Sequence, residues 1–222
     1  MRKILVTGLV FLFFITACRT IVKPNGPREA FIEQTQGEYI YEDSTDSYSG
    51  RFILFSYGDK LSIDLFAAYF PVASIRYSPA LTQVYLPATA ELLLLDKDDY
   101  LPLKGWEVPL SPLASAFTGS WPDAVDSSVL KGDTVFHWLG ETAYLESIHN
   151  KRLAGLEGRD WTLSRTGEIS GATGRDRASK IVFKRIDAEL TLNFINFELK
   201  EARLDNVFEL DLPPGIKKID YR

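Results

Sequence analysis

The sequence is short of most of what covalent chemistry requires. It holds one cysteine, Cys18, one methionine, and two histidines, His137 and His149. A lone cysteine excludes an internal disulfide and any multi-thiolate metal site. Neither histidine stands in an HExxH pair, there is no GxSxG elbow, and no glycine loop leads into a helix to cradle phosphate. The expectation is a protein that is not an enzyme and that takes no cofactor and no metal.

Basic charge is also in short supply. Lys and Arg number 25 against 30 Asp and Glu, for a formal charge of −5. That balance argues against a nucleic-acid partner, which needs a basic footprint. It argues equally against electrostatic docking on anionic lipid.

Three short patterns invite a chemical reading and fail it. Ser128-Val129-Leu130-Lys131 is an SxxK match whose helical spacing would bring amine to hydroxyl, but the companion SDN and KTG elements are missing. Asp96-Lys97-Asp98-Asp99 gathers carboxylates without the central glycine and downstream glutamate of a calcium loop. Gly171-Ala172-Thr173-Gly174-Arg175 lies between strands with no helix behind it. Chance match, solvated turn and simple turn are the better readings.

Long apolar runs are scarce, and the longest organises the chain. Arg2 and Lys3 precede an apolar block from Ile4 to Ala17, and Cys18 follows. A positive start, an apolar middle and small residues before a cut site form a secretory signal. The run is short of the roughly 20 residues of a spanning helix. Ile15-Thr16-Ala17-Cys18 also fits the bacterial lipobox. Residues 1–17 are therefore expected to be a signal peptide and Cys18 the lipidated first residue of the mature chain. An uncleaved anchor is the alternative. Two or three acyl chains give stable attachment where one does not. Arg19 is not the aspartate associated with inner-membrane retention, so the expected location is the outer membrane, with the domain facing the periplasm.

Residues 18–26 read as a tether and residues 27–222 as one folded domain. Pro27 and Gly37 suit the two ends of a short helix over Arg28 to Gln36. Glu42 to Ser49 reads as a polar loop. From Gly50 the pattern is strand: Arg51–Tyr57, then Leu61, Ile63 and Leu65 alternating with Ser62 and Asp64, then Ala73–Tyr77, Gln83–Leu86 and Glu91–Leu95. Ser111-Pro112 starts a helix that Gly119 stops. A second helix is expected near Pro122, using Val125 and Val129. Strands resume at Val135–Trp138, Ala143–Ile148, Trp161–Ser164 and Glu168–Ser170. Ile181–Ile186 and Glu189–Leu199 form a hairpin, and a tail carries Phe208, Leu210 and Leu212.

Several strands are apolar on both faces, as in Phe52, Ile53, Leu54 and Phe55. Each face must then meet a helix, a second sheet or a ligand. The run Leu65 to Ala73 is either a buried strand or two strands joined by a tight turn. A turn there would push Tyr69 and Phe70 into solvent, where apolar groups signal contact with a membrane, lipid or partner.

The order and spacing of these segments resemble the LolA/LolB-like superfamily of lipoprotein-sorting proteins, the lipid-anchored LolB branch most. The resemblance runs from Gly50 to Leu199. It rests on Gly50-Arg51-Phe52, on Asp59 to Leu65 leading into the apolar turn, on the helical segment at Leu110 to Trp121, and on Leu190 to Phe197 as closing strand. It implies a mainly β fold: an incomplete antiparallel β-barrel with a helical lid over an apolar cavity that receives acyl chains. Phe52, Leu54, Ile63, Leu192 and Phe194 would line that cavity. Ala67, Ala68, Tyr69 and Phe70 would form the protruding loop that touches membrane or partner. The implied partners are an acylated lipoprotein or lipid and a periplasmic carrier protein. The rival reading is a non-enzymatic structural or assembly lipoprotein that fills the same fold with its own side chains and binds protein.

Overall fold

The computed structural model describes residues 29–96, 99–103, 106–119, 121–122, 124–170 and 176–222. The expected signal peptide, Cys18 and the tether lie outside the described residues, as do Lys97, Asp98 and the turn from Gly171 to Arg175.

In chain order the strands are β1 (Glu29–Asp43), β2 (Ser47–Tyr57), β3 (Lys60–Ala67), β4 (Phe70–Ser78), β5 (Leu81–Leu86), β6 (Glu91–Leu95), β7 (Tyr100–Leu103) and β8 (Trp106–Pro109). Helix α1 (Leu110–Thr118) follows. Then come β9 (Ser127–Lys131), β10 (Thr134–Leu139), β11 (Thr142–Ser147), β12 (Leu153–Glu157), β13 (Trp161–Thr166), β14 (Ile169–Ser170), β15 (Asp176–Arg177), β16 (Lys180–Arg185) and β17 (Ala188–Arg203). Helix α2 (Leu204–Phe208) and β18 (Lys217–Asp220) end the chain.

Fourteen strands form one sheet in the order β18-β6-β5-β4-β3-β2-β1-β17-β16-β13-β12-β11-β10-β9. Every pairing is antiparallel except β18 with β6. The outermost strands, β9 and β18, do not pair with each other, so the sheet curls without closing, as an incomplete barrel should. The curl is visible in side chains. Tyr77 on β4 and Tyr144 on β11 are far apart in strand order yet belong to one apolar cluster, and Tyr144 also bonds to Ser115 of α1. One apolar cluster runs from Leu93 and Leu95 through Phe52 and Phe194 to Tyr144 and Leu156, with Leu110, Ala114 and Ala116 of α1 inside it. The helix is thus the lid on the inner face. Gly119 ends it with a φ of 70°, and its N–H bonds the Ser115 carbonyl at 2.8 Å.

Most strands read from period-two alternation stand where expected; three expectations do not. Of the helix expected over Arg28 to Gln36, Arg28 lies outside the described residues and Glu29 to Gln36 belong to β1. Its cap residues are outvoted by pairing on both sides, with β17 and with β2. Phe31 faces solvent while Ile32, Glu33, Gln34 and Thr35 are all buried, so both faces of the strand are covered there. Gly37 serves close approach instead of a helix stop: a Cβ there would lie 2.3 Å from the Asn193 carbonyl oxygen and 2.4 Å from the Phe52 ring. The expected loop from Glu42 to Ser49 shrinks to the three residues 44–46 between β1 and β2. The expected helix using Val125 and Val129 is replaced by β9, which pairs with β10. A segment so short and so exposed had too little apolar face to hold a helix, and the free edge of β10 took it.

The tail explains how β3 is buried on both faces. Leu61, Ser62 and Ile63 are consecutive and all buried. The inner face meets the core, and α2 crosses against β3 and β17 on the way to β18. Lys217 then pairs with Glu91 at 2.9 Å, joining β18 to the β6 edge.

Candidate functional site

An apolar cavity of about 490 Å³ opens among β1, β2, β3, β4 and β17. Tyr39, Tyr41, Leu65, Val72, Leu190 and Leu192 supply most of its wall, with Tyr48 and Ala67 at its margin. That volume is within the range of small-molecule sites, about 300–1,000 Å³. Strand alternation puts Tyr39 and Tyr41 on one face of β1, and the β17 register sets Leu192 and Leu190 beside them. Gly50 makes room for Tyr39, since a Cβ there would fall 2.6 Å from the Tyr39 hydroxyl. Burial raises the proton affinity of the Tyr39 phenol, as an apolar medium should.

The rim is ordered by one carboxylate. Asp43 accepts from the Tyr41 hydroxyl at 2.7 Å, from the Thr45 N–H and hydroxyl at 2.8 Å each, and from the Asp46 N–H at 2.7 Å. These bonds, led by that of Tyr41, hold the Asp43 carboxyl far below the usual carboxylate range. They also fix the Tyr41 ring, whose centroid lies 5.9 Å from that of Tyr48.

The β3–β4 turn is continuous with this wall. Ala67 pairs with Phe70, so Ala68 and Tyr69 are the two turn residues. Ala68 has a φ of 53°, in the left-handed region. Tyr69 is 88% exposed and Phe70 75% exposed. The run from Leu65 to Ala73 is therefore two strands and a turn, with its aromatic residues in solvent and its flanks, Ala67 and Val72, on the cavity.

The five residues expected on an acyl-chain wall divide. Leu192 lies on the cavity. Phe52, Leu54, Ile63 and Phe194 pack in the core under α1. Phe52 meets Phe194 edge-on at 5.2 Å, and Phe117 of α1 meets Phe194 edge-on at 6.4 Å. Leu54 and Phe194 border a crevice of about 10 Å³, room for about one water. Sequence reading missed Tyr39, Tyr41, Tyr48 and Leu190. The alternation at Tyr39 and Tyr41 was the available signal, and the helix-cap residues before it masked the strand.

Two polar arrangements stand apart from the cavity. Glu33 and Arg177 form a buried two-pronged pair, Nε to Oε1 at 2.8 Å and Nη2 to Oε2 at 2.9 Å. Arg177 also donates to the Thr118 carbonyl at the end of α1, so this pair ties the lid to the seam of the sheet. On the far edge, Ser128 Oγ lies 2.8 Å from His137 Nδ1, and His137 Nε2 lies 2.8 Å from Glu146 Oε2. The three residues stand on β9, β10 and β11, and Trp121 rests edge-on against the imidazole at 5.3 Å. The two equal nine-residue steps between them were the sequence signal for this row. Lys131 is three residues from Ser128 on a strand, hence on the opposite face, and its ammonium sits over the Phe136 ring at 4.8 Å. The SxxK spacing thus brings no amine to the hydroxyl.

By sequence, no family model and no curated protein matches the chain. By structure, a putative outer membrane lipoprotein-sorting protein domain from Vibrio parahaemolyticus is similar, with a TM-score of 0.60 at 13% identity over 80% of this chain and 89% of that one. A DUF1329 family protein from Desulfovibrio piger gives 0.57 at 7% identity over 80% and 89%. A LolA superfamily protein from Nitrosomonas europaea gives 0.55 at 13% identity over 81% and 90%. Identities this low speak for the fold alone. The chain shares its fold with these structures: a mainly β, open curved sheet with few helices.

Proposed function

We propose that this protein is a lipid-anchored, LolB-like lipoprotein that binds acyl chains and hands acylated lipoproteins or lipids to the outer membrane. The observation that carries the reading is the continuity of the apolar cavity with the exposed tip at Tyr69 and Phe70. A chain held against Tyr39, Leu65 and Leu192 has a path along Ala67 and Val72 to the residues best able to enter a bilayer. Each buried CH₂ contributes about 0.8 kcal/mol, so cargo moves toward whichever partner buries more of it, with no covalent step. The lipid on Cys18 supplies the attachment that the negative surface charge does not. A periplasmic carrier would deliver the cargo. Among the described residues no helix is long and apolar enough to cross a membrane.

The packed interior under α1 supports a second reading, a scaffold that binds protein instead of lipid. Native mass spectrometry on the chain from Arg19 onward, purified from a lipid-rich extract and checked for folding, separates the two. Co-purifying lipid or acylated peptide, displaced by a competing acyl chain, is the expected result. A bare mass, unchanged when acylated peptide is added, would replace the carrier reading with the scaffold.

A further inference from the structure

We propose that a second pocket, walled by Arg152, Arg165 and Arg177, is a binding site for an oxyanion, a phosphate or carboxylate group presented by a small molecule or a lipid headgroup. It lies among β11, β12, β13 and β15, with a volume of about 290 Å³, on the other arm of the sheet from the apolar cavity. Its chemistry is the reverse of that cavity. Ser147 and Asn150 join the three guanidinium groups on the wall, and among the described residues Glu168 is the one carboxylate lining it.

The charges around it do not balance. Arg177 is matched prong for prong by Glu33. Arg152 is matched by Glu168 at 2.6 Å. Arg165 has no carboxylate partner among the described residues. It donates from Nη1 to the Leu153 carbonyl at 2.8 Å, and its buried Nε has no hydrogen-bond partner there. A guanidinium is a planar fork of five donors that fits carboxylate and phosphate oxygens two at a time. Here one such fork is left over beside an opening of about 290 Å³, many times larger than a single solvent molecule.

That arrangement of cations is costly in itself. Desolvation, and then the charges of Arg177 and Arg152, pull the Arg165 proton affinity down to about 10. An anion among the three would offset all of these at once. Arg152 and Glu168 are both partly exposed, so the pocket has an entrance from solvent. The site is independent of the acyl-chain reading, and either can fail without the other.

Thermal unfolding of the full chain in an uncharged detergent, titrated with inorganic phosphate against chloride at matched ionic strength, tests it. A ligand that binds only the folded state raises the transition, with the logarithm of its concentration once that exceeds Kd. The expected result is such a rise, with Arg165→Gln raising the fitted Kd at least about tenfold, since a hydrogen bond to a charged group is lost. Arg165→Lys should fall between, keeping the charge without the fork. Lys184→Gln, on the exposed end of β16, should bind as the parent does. An equal rise in chloride, or unweakened binding by Arg165→Gln, would overturn the proposal. Should Arg165→Gln fail to fold, Arg152→Gln and phosphorus-31 line broadening on the parent chain decide it, and no broadening is a refutation. Phosphatidylglycerol and glycerol 3-phosphate then identify the source. Competition by the lipid assigns a headgroup, and competition by glycerol 3-phosphate alone assigns a small phosphate.

Discussion

Glu33 and Arg177 show how one pair can hold three elements. Their side chains are each only 8% exposed, and Arg177 reaches from β15 to β1 and to the end of α1. Removing one partner strands a buried charge, which costs about 3–5 kcal/mol. Glu33→Ala should therefore lower the denaturant midpoint by that much in free energy with little change in slope. Asp43 acts differently, at the exposed rim. Its folded proton affinity is depressed by the Tyr41 hydroxyl and the Thr45 and Asp46 groups, so its support for the 44–46 turn is present above its unfolded pKa of about 3.9 and is lost as pH falls through the lower folded value. Amide exchange at Thr45 and Asp46 should stay slow at neutral pH and quicken only in strong acid. In Asp43→Ala it should be fast throughout.

Among the elements, the β3–β4 hairpin carries the most consequence for function. Ala68 holds a left-handed conformation that costs an L-residue about 1–2 kcal/mol, partly offset in glycine by its freer unfolded chain. Ala68→Gly should raise stability by up to about 1 kcal/mol, read by denaturant midpoint. Tyr69 and Phe70 are exposed and make no part of the core cluster. Tyr69→Asp with Phe70→Asp should leave stability within about 0.5 kcal/mol while abolishing transfer of an acylated peptide to vesicles. Loss of folding instead would mean that the tip supports the sheet.

For the whole molecule, the decisive feature is that a sheet of fourteen strands curls without closing. Its inner surface divides into a packed region under α1, an apolar cavity on one arm and an arginine pocket on the other. A carrier needs only the cavity to be empty. Leu65 is half-buried on its wall, opposite Phe52 in the β2–β3 register, so Leu65→Trp places an indole where the acyl chain would lie. Co-purified acyl chain, measured by native mass spectrometry, should fall in that variant while the circular dichroism spectrum is retained.

Local pattern alone determined most of the strands. Ile63 and Leu65, or Leu190, Leu192 and Phe194, alternate because a strand turns alternate side chains to one face. Ser111-Pro112 and Gly119 bracketed α1 because helix ends need a cap and a left-handed stop. The exposed tip was legible as one of two readings of Leu65 to Ala73. The tertiary structure decided what local pattern could not. It made Glu29–Asp43 a strand because β2 and β17 both had edges to offer, and it made Ser127–Lys131 a strand because β10 did. It placed Phe52, Leu54, Ile63 and Phe194 in packed core and gave the cavity to Tyr39, Tyr41 and Leu190. It also brought Arg152, Arg165 and Arg177 to one pocket. Alternation says which face a side chain occupies; only the curl of the sheet says what that face encloses.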